Sequence, residues 1–302
     1  MRIALLVLVL LWNMPPLSGE APEPQGSSRG RIEIRELPSR VFKNVRKLRI
    51  WLPPGYDSTE ERDRRYPVLY LNDGQTLFET ETSTFSGKEW QADETAERLL
   101  QAGTIQPIII VGIDHPGRRE RSREYLPYFD EFLSPKLPDF QGALYPEFVL
   151  SEVIPLIERE FRTAPGQKGI GGASYGALAA LFTVIQRPRE FDYLLLESPS
   201  LYVDDAHILK EAARLTVWPR RISIGVGTNE TGEPDCDPAS TLTMTNREAV
   251  TDTERLKRLL ERQGIEQSRL LLTIVPCAQH DEAAWAERLP RVLTFLFGTD
   301  QD

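Results

Sequence analysis

The sequence predicts an α/β protein built on one mostly parallel sheet, with antiparallel strands at its N-terminal edge and helices on both faces. Three observations predict it. Short continuous apolar runs alternate with helix-like stretches through most of the chain, the pattern of strands covered on both sides. Two earlier segments alternate polar and apolar residues instead, as half-exposed strands do. The pentapeptide Gly172-Ala173-Ser174-Tyr175-Gly176 lies between a strand-like and a helix-like run, where a sharp turn between the two is needed. No internal repeat or second core is evident, so residues 31–300 are read as one domain.

The elements follow in order. Arg2 precedes an apolar run, Ile3 to Trp12, too short to span a bilayer comfortably, and Pro15, Pro16, Ser18 and Gly19 come next. Residues 1–19 are therefore expected to be a secretory signal peptide, with an uncleaved anchor as the alternative. Export to the periplasm or beyond is expected, with no stable membrane partner after cleavage. Residues 20–30, rich in Pro, Gly and Ser, read as a flexible linker. Arg31 to Leu37 and Val45 to Leu52 are the alternating strands, the second ended by Pro53, Pro54 and Gly55. Pro67 to Leu71 and Pro107 to Ile113 are buried strands, and Glu89 to Gln101 a helix stopped at Gly103.

Asp114 to Ala143 reads as a long loop with Tyr125, Tyr128, Phe129, Phe132 and Phe140, either shaping a pocket or packing onto the body. Tyr145 to Phe161 is an amphipathic helix that Pro155 should kink or interrupt. Lys168 to Ala173 is the strand entering the turn and Ala177 to Gln186 the helix leaving it. Phe191 to Glu197, Arg221 to Gly227 and Leu270 to Val275 are later strands. Ala206 to Leu215 reads as helix. So does Thr251 to Gln263, where Thr251 and Glu254 have capping-box spacing. Glu282 to Phe297 closes the chain as a helix expected to break near Pro290.

The chain has 302 residues and a net charge of −9, which argues against nucleic acid as a partner because no basic patch would neutralise phosphates. Arg118, Arg119, Arg121 and Arg123 do cluster, but Glu120 and Glu124 interleave with them, so the run reads as a solvated loop.

The chemistry centres on Ser174. A serine held on a strained strand-to-helix turn needs small residues two places either side, and Gly172 and Gly176 supply them. The G-x-S-x-G pattern is that of a nucleophile elbow. A serine hydroxyl also needs a base, and there are only three histidines. In the α/β-hydrolase plan the order is serine, acid, histidine, at the carboxyl ends of successive strands. His280 follows the last strand and is the expected base; His115 is the runner-up, and His207 reads as a surface residue. The strand before it runs into Gly227-Thr228-Asn229-Glu230, making Glu230 the expected acid, with Asp235, Asp237 and Glu197 as competitors. The backbone N–H groups of Tyr175 and Gln75 are expected to hold an oxyanion. His115 and Tyr125 are candidate substrate-binding residues. Cys236 and Cys277 allow one intramolecular pairing, which an oxidising compartment permits. That disulfide would join the loops carrying the acid and the base; two buried thiols are the alternative.

With these residues placed, the sequence resembles the esterase D and enterochelin esterase-like family of α/β-hydrolases, which includes siderophore esterases, feruloyl esterases, S-formylglutathione hydrolases and mycolyltransferases. The resemblance rests on Tyr66 to Gln75 (YPVLYLNDGQ), Gly171 to Gly176 (GGASYG), Gly225 to Glu230 (GVGTNE) and His280 to Trp285 (HDEAAW), and covers nearly everything after the linker. It implies a serine hydrolase fold, an acyl-enzyme mechanism, a small-molecule ester substrate, and no metal or other cofactor. The Thr-Asn-Glu step matches the family's acid position. Tyr175 and Ala177 depart from the family pattern, where Met or His and a further Gly are common. Acyl transfer from the same site and an inactivated fold used for binding are the alternatives. The arginines of the long loop point to an acidic or phenolate-bearing ester, while peptide, carbohydrate and siderophore esters stay open.

Overall fold

The computed structural model describes residues 29–237 and 243–299. The expected signal peptide, and all of the expected linker except residues 29 and 30, lie outside the described residues. The strands are β1 (Arg31–Pro38), β2 (Val45–Leu52), β3 (Tyr66–Asn72), β4 (Ile109–Ile113), β5 (Thr163–Ala173), β6 (Tyr193–Glu197), β7 (Arg221–Gly227) and β8 (Leu270–Val275). They form one eight-stranded sheet in the order β1-β2-β4-β3-β5-β6-β7-β8. The pairs β1–β2 and β2–β4 are antiparallel, and every later pair is parallel.

The helices are α1 (Ala92–Gln101), α2 (Arg118–Tyr125), α3 (Tyr145–Phe148), α4 (Ile154–Glu160), α5 (Tyr175–Gln186), α6 (Val203–Ala212), α7 (Met244–Arg262) and α8 (Glu282–Phe297). They cover both faces. Along β3, Val68 and Tyr70 pack into one apolar layer and Leu69 and Leu71 into the other; Leu194 and Leu195 divide the same way on β6. One layer is closed by α1 and α8, the other by α3 to α7. This two-sided burial is why the central strands are continuously apolar.

Three elements depart from expectation, and the expected interruption at Pro155 takes a specific form. The long loop holds a helix, α2, whose Arg121 and Glu124 are buried and ion-paired. At Pro155 the helix widens into a π turn, Val149–Val153, before α4 begins. A residue without an N–H, whose ring crowds the preceding turn, is accommodated by that wider turn. Helix α7 begins earlier than expected, because the Thr243 side chain caps it by accepting from the Asn246 N–H. Thr251 lies within it. Finally, α8 runs through Pro290 unbroken.

Candidate active site

The site lies at the carboxyl ends of the parallel strands, where β5, β6, β7 and β8 deliver successive loops to one edge. Ser174 stands between β5 and α5 with φ 59° and ψ −129°, a conformation that strains an L-residue. The turn is tight enough to demand glycine. A Cβ on Gly172 would come within 3.0 Å of both the Gly176 carbonyl carbon and the Asn72 Cβ, and one on Gly176 within 2.9 Å of an Asp73 carboxylate oxygen. Asn72, at the end of β3, ties the turn down, its Nδ2 donating to the Gly176 carbonyl at 2.7 Å. The Ser174 hydroxyl is half-buried and meets the Ser200 hydroxyl at 3.5 Å.

Two backbone N–H groups near the turn make no hydrogen bond among the described residues: that of Tyr175, which opens α5, and that of Gln75, the second residue of the one-turn helix Gly74–Thr76. Both lack intrahelical acceptors because of their position. Residues 72, 73 and 76, on either side of Gln75, line a cavity shared with Ser174.

His280 follows β8, and its Nδ1 lies 2.5 Å from Glu230 Oε2. Glu230 follows β7. Its other oxygen accepts from the Gly227 N–H at 2.6 Å and the Ser198 hydroxyl at 2.9 Å. Burial alone would push the Glu230 carboxyl up, but His280, the Gly227 N–H and Ser198 together outweigh it, so it titrates below the ordinary glutamate range. His280 makes no hydrogen bond to Ser174 among the described residues, yet the two side chains line the same two cavities. Catalytic hydrogen bonds of this kind commonly tighten only in the complex with substrate.

Ser198 was not expected here. It follows β6 directly, with φ 42°. Its hydroxyl oxygen accepts from the Trp285 indole N–H at 3.0 Å and from the Arg288 guanidinium at 3.5 Å. Both partners can only donate, so the Ser198 proton is left for Glu230. Trp285 also sets its ring edge-on to His280, centroids 5.4 Å apart. Arg288 holds buried Glu197 at 2.6 Å, so this competing carboxylate is engaged elsewhere. Burial pushes the Glu197 carboxyl up, to about 7, against the pull of Arg288. No sequence signal marks Ser198, since a serine after a strand is ordinary.

Two other candidates are placed away from the cavities. Tyr125 is fully buried, its hydroxyl accepting from the Asp73 N–H at 3.2 Å. His115 is also buried: its Nδ1 accepts from the Gly117 N–H at 3.0 Å, its Nε2 meets the Thr84 hydroxyl at 3.1 Å, and the Gln75 side chain brackets its backbone. Neither lines either cavity at Ser174, because each is packed into the wall that supports residues 73–76. His207 lies on the surface between Asp204 and Glu211.

Burial pushes the His115 ring down to about 4, with Arg121 and Arg46 adding to the effect and Asp73 opposing it. The unfolded chain therefore takes up this proton near pH 6.5 while the folded one resists until about 4. Stability should fall as pH drops through that window. Thermal melts across it should show a shallower decline for His115→Asn than for the parent.

Among the described residues, two cavities open on Ser174 and His280. The smaller, about 330 Å³, is walled by Phe85, Trp90 and Trp285 and by the ion pair of Arg121 with Asp73, at 2.7 and 2.8 Å. The larger, about 520 Å³, runs past Ser198, Ser200 and Glu230 to the first turns of α7. Cys236 and Cys277 form a disulfide with Cα atoms 5.7 Å apart. It joins the loop after β7, which carries Glu230, to the loop after β8, which carries His280.

A family model described as "Putative esterase" matches residues 39–296. An uncharacterized Bacillus subtilis protein, YbbA, is 24% identical over 260 residues, covering 85% of this chain and 94% of its own. A siderophore enterobactin esterase of Emericella nidulans is 32% identical over 162 residues, 49% of this chain and 50% of that protein, so the match spans half the relative. Among solved structures, an IroE-like serine hydrolase from Shewanella oneidensis superposes with a TM-score of 0.67 at 21% identity, covering 88% of this chain and 80% of that one.

Proposed function

The chain belongs to the esterase family and has the α/β-hydrolase fold, and from that premise we propose that it hydrolyses carboxylic esters through an acyl-enzyme on Ser174. The observation that carries the reading is the convergence of Ser174, His280 and Glu230, from three different strand ends, on the larger cavity, with Ser174 and His280 also lining the smaller. Ser174 Oγ attacks the ester carbonyl while His280 Nε2 takes its proton. Glu230 accepts the Nδ1–H, which selects that tautomer and stabilises the imidazolium as it forms. The Tyr175 and Gln75 N–H groups receive the developing oxyanion.

The imidazolium then returns its proton to the departing alcohol. Water, deprotonated by His280, attacks the acyl carbonyl and releases the acid, restoring Ser174. Ser198, with its proton committed to Glu230 Oε1, keeps Oε2 turned to His280. Export to an oxidising compartment completes the reading, supported by the apolar N-terminal run and the disulfide.

The test is covalent labelling. A fluorophosphonate should modify the folded protein at one site, and peptide mapping should place it on Ser174, with loss of ester hydrolysis in proportion. Modification elsewhere, or hydrolysis persisting in fully labelled protein, would refute the mechanism.

A further inference from the structure

The two cavities that meet at Ser174 differ in size, in wall chemistry and in charge. The larger presents Leu201, Tyr202, Val226, Ala249, Phe132 and Met244. At its mouth Phe132 is 71% exposed and Met244 75%; Phe132 stacks edge-on against Tyr202, with centroids 5.8 Å apart. An apolar lip continuous with an apolar cavity, and opening on the nucleophile, is surface that an apolar substrate group would cover.

Apart from His280 and the Tyr202 phenol, the ionisable groups lining it are all carboxylates. Glu230, Glu248 and Asp252 line the larger cavity, and no lysine or arginine does so among the described residues. Glu230 is engaged by His280, and Asp252 by Arg255 at 2.7 Å. Glu248 makes no ion pair among the described residues. The arginines of α2 do not offset this. Arg121 lines only the smaller cavity and is held bidentate by Asp73; Arg123 pairs with Glu120 at 3.2 Å; Arg118 donates to the Thr84 carbonyl at 3.1 Å. Folding thus commits three of these arginines to partners within the protein, and the fourth, Arg119, is exposed and lines neither cavity, so the run supplies no cation to the larger one.

We infer that the larger cavity receives the larger half of the ester, and that it selects an apolar group, uncharged or cationic, over one bearing net negative charge. The inference rests on the serine esterase reading above and adds the substrate class. An anionic group there meets the field of Glu248 with no cation to receive it, whereas a neutral apolar group covers the lip. A cationic group gains from Glu248 what an anionic one loses.

Three 4-nitrophenyl esters test this. They share one carbonyl and one aryl spacer, and end in tert-butyl, trimethylammonium or carboxylate. At low salt, kcat/KM for the first two should exceed that for the carboxylate by roughly tenfold, and the gap should narrow at high salt. Glu248→Lys should reverse the order of the cationic and anionic esters, and the milder Glu248→Gln should shrink their gap. Equal or faster turnover of the carboxylate ester by the parent would overturn the inference. An order unchanged in Glu248→Lys would overturn the assignment to the larger cavity. A protein that takes fluorophosphonate on Ser174 but cleaves none of the three refutes the substrate class alone. One that takes no label refutes the catalytic reading beneath it.

Discussion

Ser174→Ala should lower kcat/KM for a small activated ester by at least about 10⁴-fold, a loss of roughly 5 kcal/mol or more of transition-state stabilisation. Alanine removes one oxygen from a half-buried position, so the melting temperature should barely move and the lost activity cannot be ascribed to unfolding. His280→Ala should fall to a similar floor. The double variant should be no worse than either single one, because the hydroxyl and the imidazole act on the same proton. Glu230→Gln should lose less, since it keeps the shape while withdrawing the charge and the acceptor on the Nδ1 side. What survives in Ser174→Ala measures the unpartnered N–H groups and the cavities alone. Steady-state kinetics decide the matter: a Ser174→Ala protein with activity within tenfold of the parent's would rule out Ser174 as the nucleophile.

The second large effect concerns stability. The Cys236–Cys277 disulfide closes a loop with a sequence separation of 41, and loop-closure entropy assigns such a crosslink about 4 kcal/mol. Replacing both cysteines by alanine should shift the urea midpoint accordingly. Activity should fall further than folding alone dictates, because the crosslink joins the loop of Glu230 to the loop of His280. Their 2.5 Å contact is otherwise maintained by loop backbone and by the Cys277 N–H donating to the Thr228 hydroxyl at 2.9 Å. Below the unfolding transition, kcat should therefore drop while KM stays nearly constant. An unchanged urea midpoint would show that the crosslink adds nothing to the folded state.

Much of the architecture is legible in the chain because the signals are local. Val68 to Leu71 are apolar without a break because helices cover both faces of β3, and Gly172 and Gly176 bracket Ser174 because their Cα atoms have no room for a side chain. Helix α2 was hidden for the opposite reason. An arginine-rich stretch reads as solvent-facing until Asp73, distant in sequence, supplies the carboxylate that lets Arg121 be buried. Thr243 rather than Thr251 caps α7, since a cap depends on where the preceding loop enters, and spacing alone cannot say.

The site divides similarly. Ser174, Glu230 and His280 follow strand ends, so topology suffices to bring them to one edge. Ser198 acts through Glu230 and Trp285, contacts that exist only after folding, and no motif marks it.

Two cavities that share one serine also have a kinetic consequence. On the proposed acyl-enzyme mechanism, the first product empties its own chamber as it departs while the acyl chain still occupies the other. The vacated volume refills with whatever is at hand, so deacylation becomes a contest between water and any hydroxyl-bearing molecule that fits. Adding a small alcohol should therefore divert the flux from acid to new ester in proportion to its concentration, with the release of the first product unchanged.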